Sequence, residues 1–123
     1  MNEERSIAER DGVESPVWDN IEDTHKCYDQ NMQLLIPNMK PTDMLLVGSH
    51  NVDSCEKAAK LAVEHDRVQN VLLGQLQGFS DHLTNNLANR GLRVFKYVPF
   101  GPTEQVMPYL VRRGQESKQV VRE

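Results

Sequence analysis

The chain has 123 residues, of which 38% are hydrophobic and 26% charged, with a formal net charge of −4. An acidic balance argues against nucleic acid as a partner, and no apolar run approaches the roughly 20 residues that span a bilayer. Cys27 and Cys55 stand without CxxC spacing or a nearby ligand pattern, so neither a metal site nor a disulfide framework is expected, and both read as ordinary thiols.

Along the chain, residues Asn2 to Arg10 are charged, and Asp11-Gly12 marks a turn. Pro16 opens a predicted helix over Val17 to Leu35, closed by Pro37 and Pro41. Met44 to Gly48 reads as a short strand, and Val52 to His65 as a helix with Ala58, Ala59, Leu61 and Ala62 inside. Val71 to Gln75 is the second strand candidate, Asp81 to Arg90 a helix, and Leu92 to Val98 the last strand, rich in β-branched and aromatic residues. Pro99, Gly101 and Pro102 end that strand abruptly. Thr103 is the expected N-cap of a final helix, in which Pro108 predicts either a kink or a start near Met107. Three strand candidates and about four helices alternate, so the fold class is α/β.

On that final helix Tyr109, Arg112, Arg113 and Glu116 recur at i, i+3, i+4 and i+7 and share one face. Surface arginine pairs are common, and a bare Tyr-x-x-Arg-Arg most simply reads as a solvated charged face. Two adjacent guanidiniums beside an aromatic ring also suit an anion, because each planar fork grips a carboxylate bidentately. The strand before it delivers Tyr97 to a sharp turn, which puts two rings and two cations within reach of one small pocket.

Tyr97-Val98-Pro99-Phe100-Gly101-Pro102, then Pro108-Tyr109-Leu110-Val111-Arg112-Arg113 and Glu116, resemble the carboxy-terminal signature of the flavin-dependent proline dehydrogenases. Ser49-His50-Asn51 and Gly74-Gln75-Leu76-Gln77-Gly78 are similar to two further motifs of that family, in the same order. The resemblance covers Arg10 to Glu116. It implies a distorted (β/α)8 barrel that binds FAD and oxidises L-proline to pyrroline-5-carboxylate. A complete barrel takes about 250 residues, with 200 near the floor. The whole chain, 1–123, is therefore expected to be a partial (β/α)8 TIM-type barrel: about its last three βα units plus a preceding helix, an incomplete domain inactive alone.

Chemistry in such barrels sits at the carboxyl ends of the strands, where each motif falls. Ser49 or Asn51 alone would read as the cap of the next helix. The resemblance instead implies that Ser49, His50 and Asn51 contact FAD, with His50 donating toward the isoalloxazine, and that Glu116 binds the ribose or adenine end. Leu76 would pack on the substrate ring, and Gly78 would let the backbone pass close to the flavin. Arg112 and Arg113 would hold the carboxylate while Tyr97 and Tyr109 close over the pyrrolidine. No residue is nominated as an acid or base, because the hydride chemistry belongs to the cofactor. His25, His65 and His82 read as solvated.

The resemblance further implies a quinone electron acceptor and a membrane association through the full-length enzyme. It implies mitochondrial residence, inner membrane or matrix, in a eukaryote, and otherwise the cytoplasmic face of the membrane. Phe100 stands where relatives commonly carry tyrosine. Hydroxyproline is the alternative substrate, although Tyr109 would crowd a ring hydroxyl. A truncated, non-catalytic binding or decoy module is the alternative reading of the chain itself.

Overall fold

The computed structural model describes residues 2–116. Within them three strands, β1 (Leu45–Gly48), β2 (Val71–Leu76) and β3 (Arg93–Tyr97), alternate with helices α1 (Asn2–Asp11), α2 (Ile21–Asn38), α3 (Val52–Glu64), α4 (Asp81–Asn89) and α5 (Thr103–Glu116). The sheet is parallel in the order β1-β2-β3. Each strand thus lies beside its neighbour in sequence and is followed by a helix, as βα units require.

Strands β1 and most of β2 are near-continuous apolar runs, the pattern of a parallel sheet. One face is sealed: Val47, Val71 and Leu73 are buried against Met32 and Ile36 of α2, Cys55, Ala58, Ala59 and Ala62 of α3, and Leu83 and Leu87 of α4. Small residues along α3 let that helix pack close to the sheet, beside the larger Ile36, Leu73 and Leu87. On the other face Leu46, Phe95 and Tyr97 stand 63%, 48% and 59% exposed.

Several boundaries depart from the sequence-based expectations. The charged segment at 2–11 is itself a helix, with Glu3 and Glu4 in its first turn and Arg10 in its last, as the macrodipole favours. Burial of Ala8 and the bond from Arg5 Nη2 to the Trp18 carbonyl (2.7 Å) anchor it. Helix α2 starts at Ile21 rather than Val17, because Asn20 is the cap: its side chain accepts from the Asp23 amide at 2.7 Å.

Pro37 does not end α2 but lies in its last turn, where Asn38 Nδ2 donates to the Leu34 carbonyl at 2.7 Å. Thr103 is likewise the first residue of α5 and not its cap. The Pro102 carbonyl accepts from Gln105 and Val106, and the helix runs from Thr103 through Pro108 to Glu116. Pro108, the sixth residue of α5, has no amide to meet the Glu104 carbonyl and its ring crowds that carbonyl, which lies at an exposed residue where water can solvate it.

Candidate active site at the carboxyl edge of the sheet

The loops that leave the carboxyl ends of the three strands form two clefts. The larger, about 610 Å³, is lined by His25, Ser49, His50, Asn51, Ser80 and His82 among others. The smaller, about 230 Å³, is lined by Tyr97, Pro99, Phe100, Gln105, Val106 and Tyr109. Leu76 joins them: its amide bonds to His50, and it pairs in register with Tyr97.

In the first cleft, β1 ends and the chain turns into α3. Asn51 caps that helix by accepting from the Ser54 amide at 3.0 Å, and Ser49 Oγ accepts from the Asn51 amide at 3.0 Å. The ordinary capping reading of these residues is therefore realised. Asn51 also turns its Nδ2 to the His25 ring at 3.2 Å. His25, expected to be solvated, is half-buried and part of this cleft; α2 carries it there, a placement its own sequence neighbours do not reveal. His65 is exposed as expected, while His82 is exposed but borders the cleft.

His50 has both ring nitrogens engaged. Nε2 lies 3.3 Å from the Leu76 amide, which is only a donor, so Nε2 accepts and the ring proton resides on Nδ1. Nδ1 lies 3.2 Å from Ser80 Oγ, and the Phe79 ring stacks edge-on at 5.7 Å. Burial, with a further push from the Lys96 cation, lowers the His50 pKa and favours the neutral ring over the cation.

Lys96 holds the loop that carries Ser80. Its Nζ donates to the Phe79 carbonyl at 2.6 Å and pairs with Asp81 at 2.8 Å. Beneath the loop, Gln75 is 2% exposed, donating to the Ser49 carbonyl (3.3 Å) and accepting from Thr84 Oγ1 (3.1 Å). Gly78 has φ +82°, with nothing within 4 Å of a built Cβ. Backbone conformation is therefore what calls for glycine there.

In the second cleft, the Tyr97 and Tyr109 rings lie 6.3 Å apart at 56°; beside it, one turn further along α5, the Arg113 guanidinium sits 5.6 Å from the Tyr109 centroid. The structure thus brings Tyr97 to Tyr109 and Tyr109 to the half-buried Arg113, while Arg112 is exposed. Leu76 is half-buried at the strand end. Glu116 ends α5, and its side chain lies outside the described residues. Among the described residues no group of His, Cys, Asp and Glu is arranged to hold a metal ion.

Ser80 and Lys96 were not singled out from sequence, and Gln75 was noted only as part of the motif at residues 74–78. Ser80 before Asp81 reads as a routine helix cap, and a lone lysine in an apolar strand is the one signal that marks Lys96.

Comparison with known proteins agrees with the motif resemblance. A family model described as proline dehydrogenase matches residues 1–122. The mitochondrial proline dehydrogenase 1 of Dictyostelium discoideum is 40% identical over 124 residues, covering 96% of this chain and 22% of that protein. Hydroxyproline dehydrogenase of Bos taurus is 36% identical over 129 residues, covering 99% of this chain and 28% of that protein. The crystal structure of proline utilization A from Bdellovibrio bacteriovorus, inactivated by N-propargylglycine, superposes with a TM-score of 0.80 at 26% identity. That match covers 91% of this chain and 12% of the other. The chain thus spans less than a third of the length of these curated relatives.

Proposed function

Because the chain belongs to the proline dehydrogenase family, we propose that it forms the carboxy-terminal part of an enzyme that oxidises L-proline to pyrroline-5-carboxylate. In this reading residues 1–123 are the last three βα units of a (β/α)8 barrel with a helix before them. The exposed apolar face carrying Leu46 and Phe95 is then the barrel interior.

The observation that carries the substrate assignment is the convergence of Tyr97, Tyr109 and Arg113 at the end of the last strand. Proline offers a carboxylate, a ring nitrogen and apolar methylenes. Arg113, with Arg112, binds the carboxylate through charge-assisted hydrogen bonds. The two tyrosine rings cover the pyrrolidine and exclude water, and a drier site strengthens the ion pair. Leu76 supplies apolar contact from the adjacent strand end. Together these residues orient the ring carbon next to the nitrogen, which is a positioning task.

The first cleft has the donor set that an uncharged, acceptor-rich flavin ring needs: hydroxyls of Ser49 and Ser80 and an asparagine, and no cluster of cations. Ser49 and Asn51 are proposed to hold FAD there, with Glu116 at its ribose or adenine end. His50, expected to donate toward the isoalloxazine, has both ring nitrogens engaged and acts by positioning its neighbours. When bound, the flavin supplies the two-electron chemistry.

A quinone acceptor, and residence at the inner membrane or in the matrix, complete the proposal; several relatives carry a mitochondrial name. The bovine relative's name supports a second reading, hydroxyproline as substrate. Flavin binding and proline:quinone oxidoreductase activity of the intact protein test the proposal, with kcat/KM compared for proline and hydroxyproline. Flavin binding without activity on either substrate would refute the substrate assignment.

A further inference from the structure

Ser80 occupies a costly conformation. It has φ 52° and ψ 41°, in the left-handed region that a residue with a Cβ rarely adopts. Such strain persists only where surrounding contacts over-determine it, and it concentrates at functional sites. The contacts are present. Lys96 Nζ grips the Phe79 carbonyl and the Asp81 carboxylate on either side. The Ser80 carbonyl itself accepts from the Thr84 amide (3.0 Å) and hydroxyl (3.1 Å).

The strain does not serve the helix. A serine preceding a helix ordinarily caps it with its side chain, yet Ser80 makes no such bond. Its Oγ is turned to His50 Nδ1 at 3.2 Å, its one side-chain partner among the described residues. The Leu76 amide fixes the direction of that bond. With Nε2 accepting at 3.3 Å, the neutral ring donates from Nδ1, so Ser80 Oγ is the acceptor. The Ser80 hydroxyl hydrogen is then directed away from His50, on a side chain that borders the large cleft. His50 has no unengaged nitrogen with which to donate to a ligand itself.

We propose that Ser80 is a ligand-contacting residue whose hydroxyl, oriented by His50, donates a hydrogen bond to an acceptor atom of the flavin. His50 is accordingly a positioning residue in this cleft. The inference rests on the reading of that cleft as the flavin site.

The test uses the intact protein with FAD as the probe, and begins with ¹⁵N shifts of His50. A proton on Nδ1 is expected; a proton on Nε2 would make Ser80 the donor to His50 and overturn the inference, whatever any variant does. Ser80→Gly then removes the hydroxyl while suiting the left-handed backbone. It is expected to keep the wild-type melting temperature or exceed it, to weaken FAD binding about tenfold, as the loss of one hydrogen bond does, and to shift the visible spectrum of the bound flavin. Wild-type affinity with an unshifted spectrum would overturn the role of Ser80 and leave the flavin site standing. Failure of the wild-type protein to bind FAD would overturn the functional reading and this inference with it.

Discussion

The Arg113 guanidinium lies 5.6 Å from the centroid of the Tyr109 ring, one helical turn before it. Sequence spacing gives Arg112 and Arg113 equal standing, but the fold separates them into an exposed residue and a half-buried one. An arginine stacked on a ring has its orientation restricted.

Arg113→Met in the intact protein is therefore expected to raise the KM for proline by about 10- to 100-fold, as loss of hydrogen bonds to a charged group implies, with a smaller change in kcat. Tyr109→Leu, which removes the stacking platform, is expected to raise KM by about 2- to 5-fold through the lost cation–π contact alone. Steady-state kinetics measure both, and an unchanged KM in Arg113→Met would refute the carboxylate assignment.

Gln75→Leu is expected to destabilise the fold by about 1–3 kcal/mol, because the Ser49 carbonyl loses its amide donor in a buried setting, while the Thr84 hydroxyl keeps the Ser80 carbonyl as acceptor. Urea unfolding measures the loss. Since Gln75 ties the end of β1 to α4, flavin binding is expected to weaken in parallel.

The lowered His50 pKa sets a direction for pH dependence. The folded protein resists protonating the ring, whereas the unfolded chain takes the proton near its ordinary value of about 6.5. Its contribution to stability is full above that value and is lost as pH falls through it toward the folded pKa. Lys96→Met removes one of the two causes, and an NMR titration is expected to show the His50 pKa rising. An unmoved titration would place Lys96 outside the electrostatic reach of the ring.

Asp29 joins α2 to α3, accepting from Ser54 Oγ at 2.7 Å and from Lys57. Burial pushes its pKa up, but the bonds from Lys57 and Ser54, with nearby positive charge, outweigh this and hold it below the usual carboxylate range. That stabilisation is present at neutral pH and disappears as pH falls through the folded value. Asp29→Ala is expected to cost about 1–3 kcal/mol by leaving the buried Ser54 hydroxyl unpaired. Lys57→Ala, which removes a half-exposed partner, is expected to cost about 0–1 kcal/mol. Equal losses in denaturant melts would contradict this division.

Cys55 is fully buried, and burial pushes its thiol up to about 11. Because the thiolate is the nucleophile, native Cys55 is expected to resist alkylation at pH 8 and to react only on unfolding. Mass spectrometry of alkylated protein checks this.

The βα alternation was legible because each strand is a short apolar run bounded by turn residues, and because Ala58, Ala59 and Ala62 recur at helical spacing in α3. The helix at 2–11 was not, since a charged segment with one buried alanine carries no apolar stripe. The ends of α2 shifted because Pro37, in a terminal turn, forfeits little, and because Asn20 was a stronger cap than Pro16 was an opener.

At the candidate site, the sequence by itself determined which chemistry each strand end carries: Ser49-His50-Asn51 after β1, Leu76 at the end of β2, and Tyr97 with the later Tyr109, Arg112 and Arg113 after β3. It also determined the family, since ordered motifs are a property of the linear chain. Tertiary structure alone decided that His25 meets Asn51, that Arg113 and not Arg112 stacks on Tyr109, and that His50 is held neutral between Leu76 and Ser80. Those relations join residues 26 to 30 positions apart, or depend on which way a helix faces. Hydrogen-bond direction and burial are set by such neighbours, and a linear pattern does not contain them.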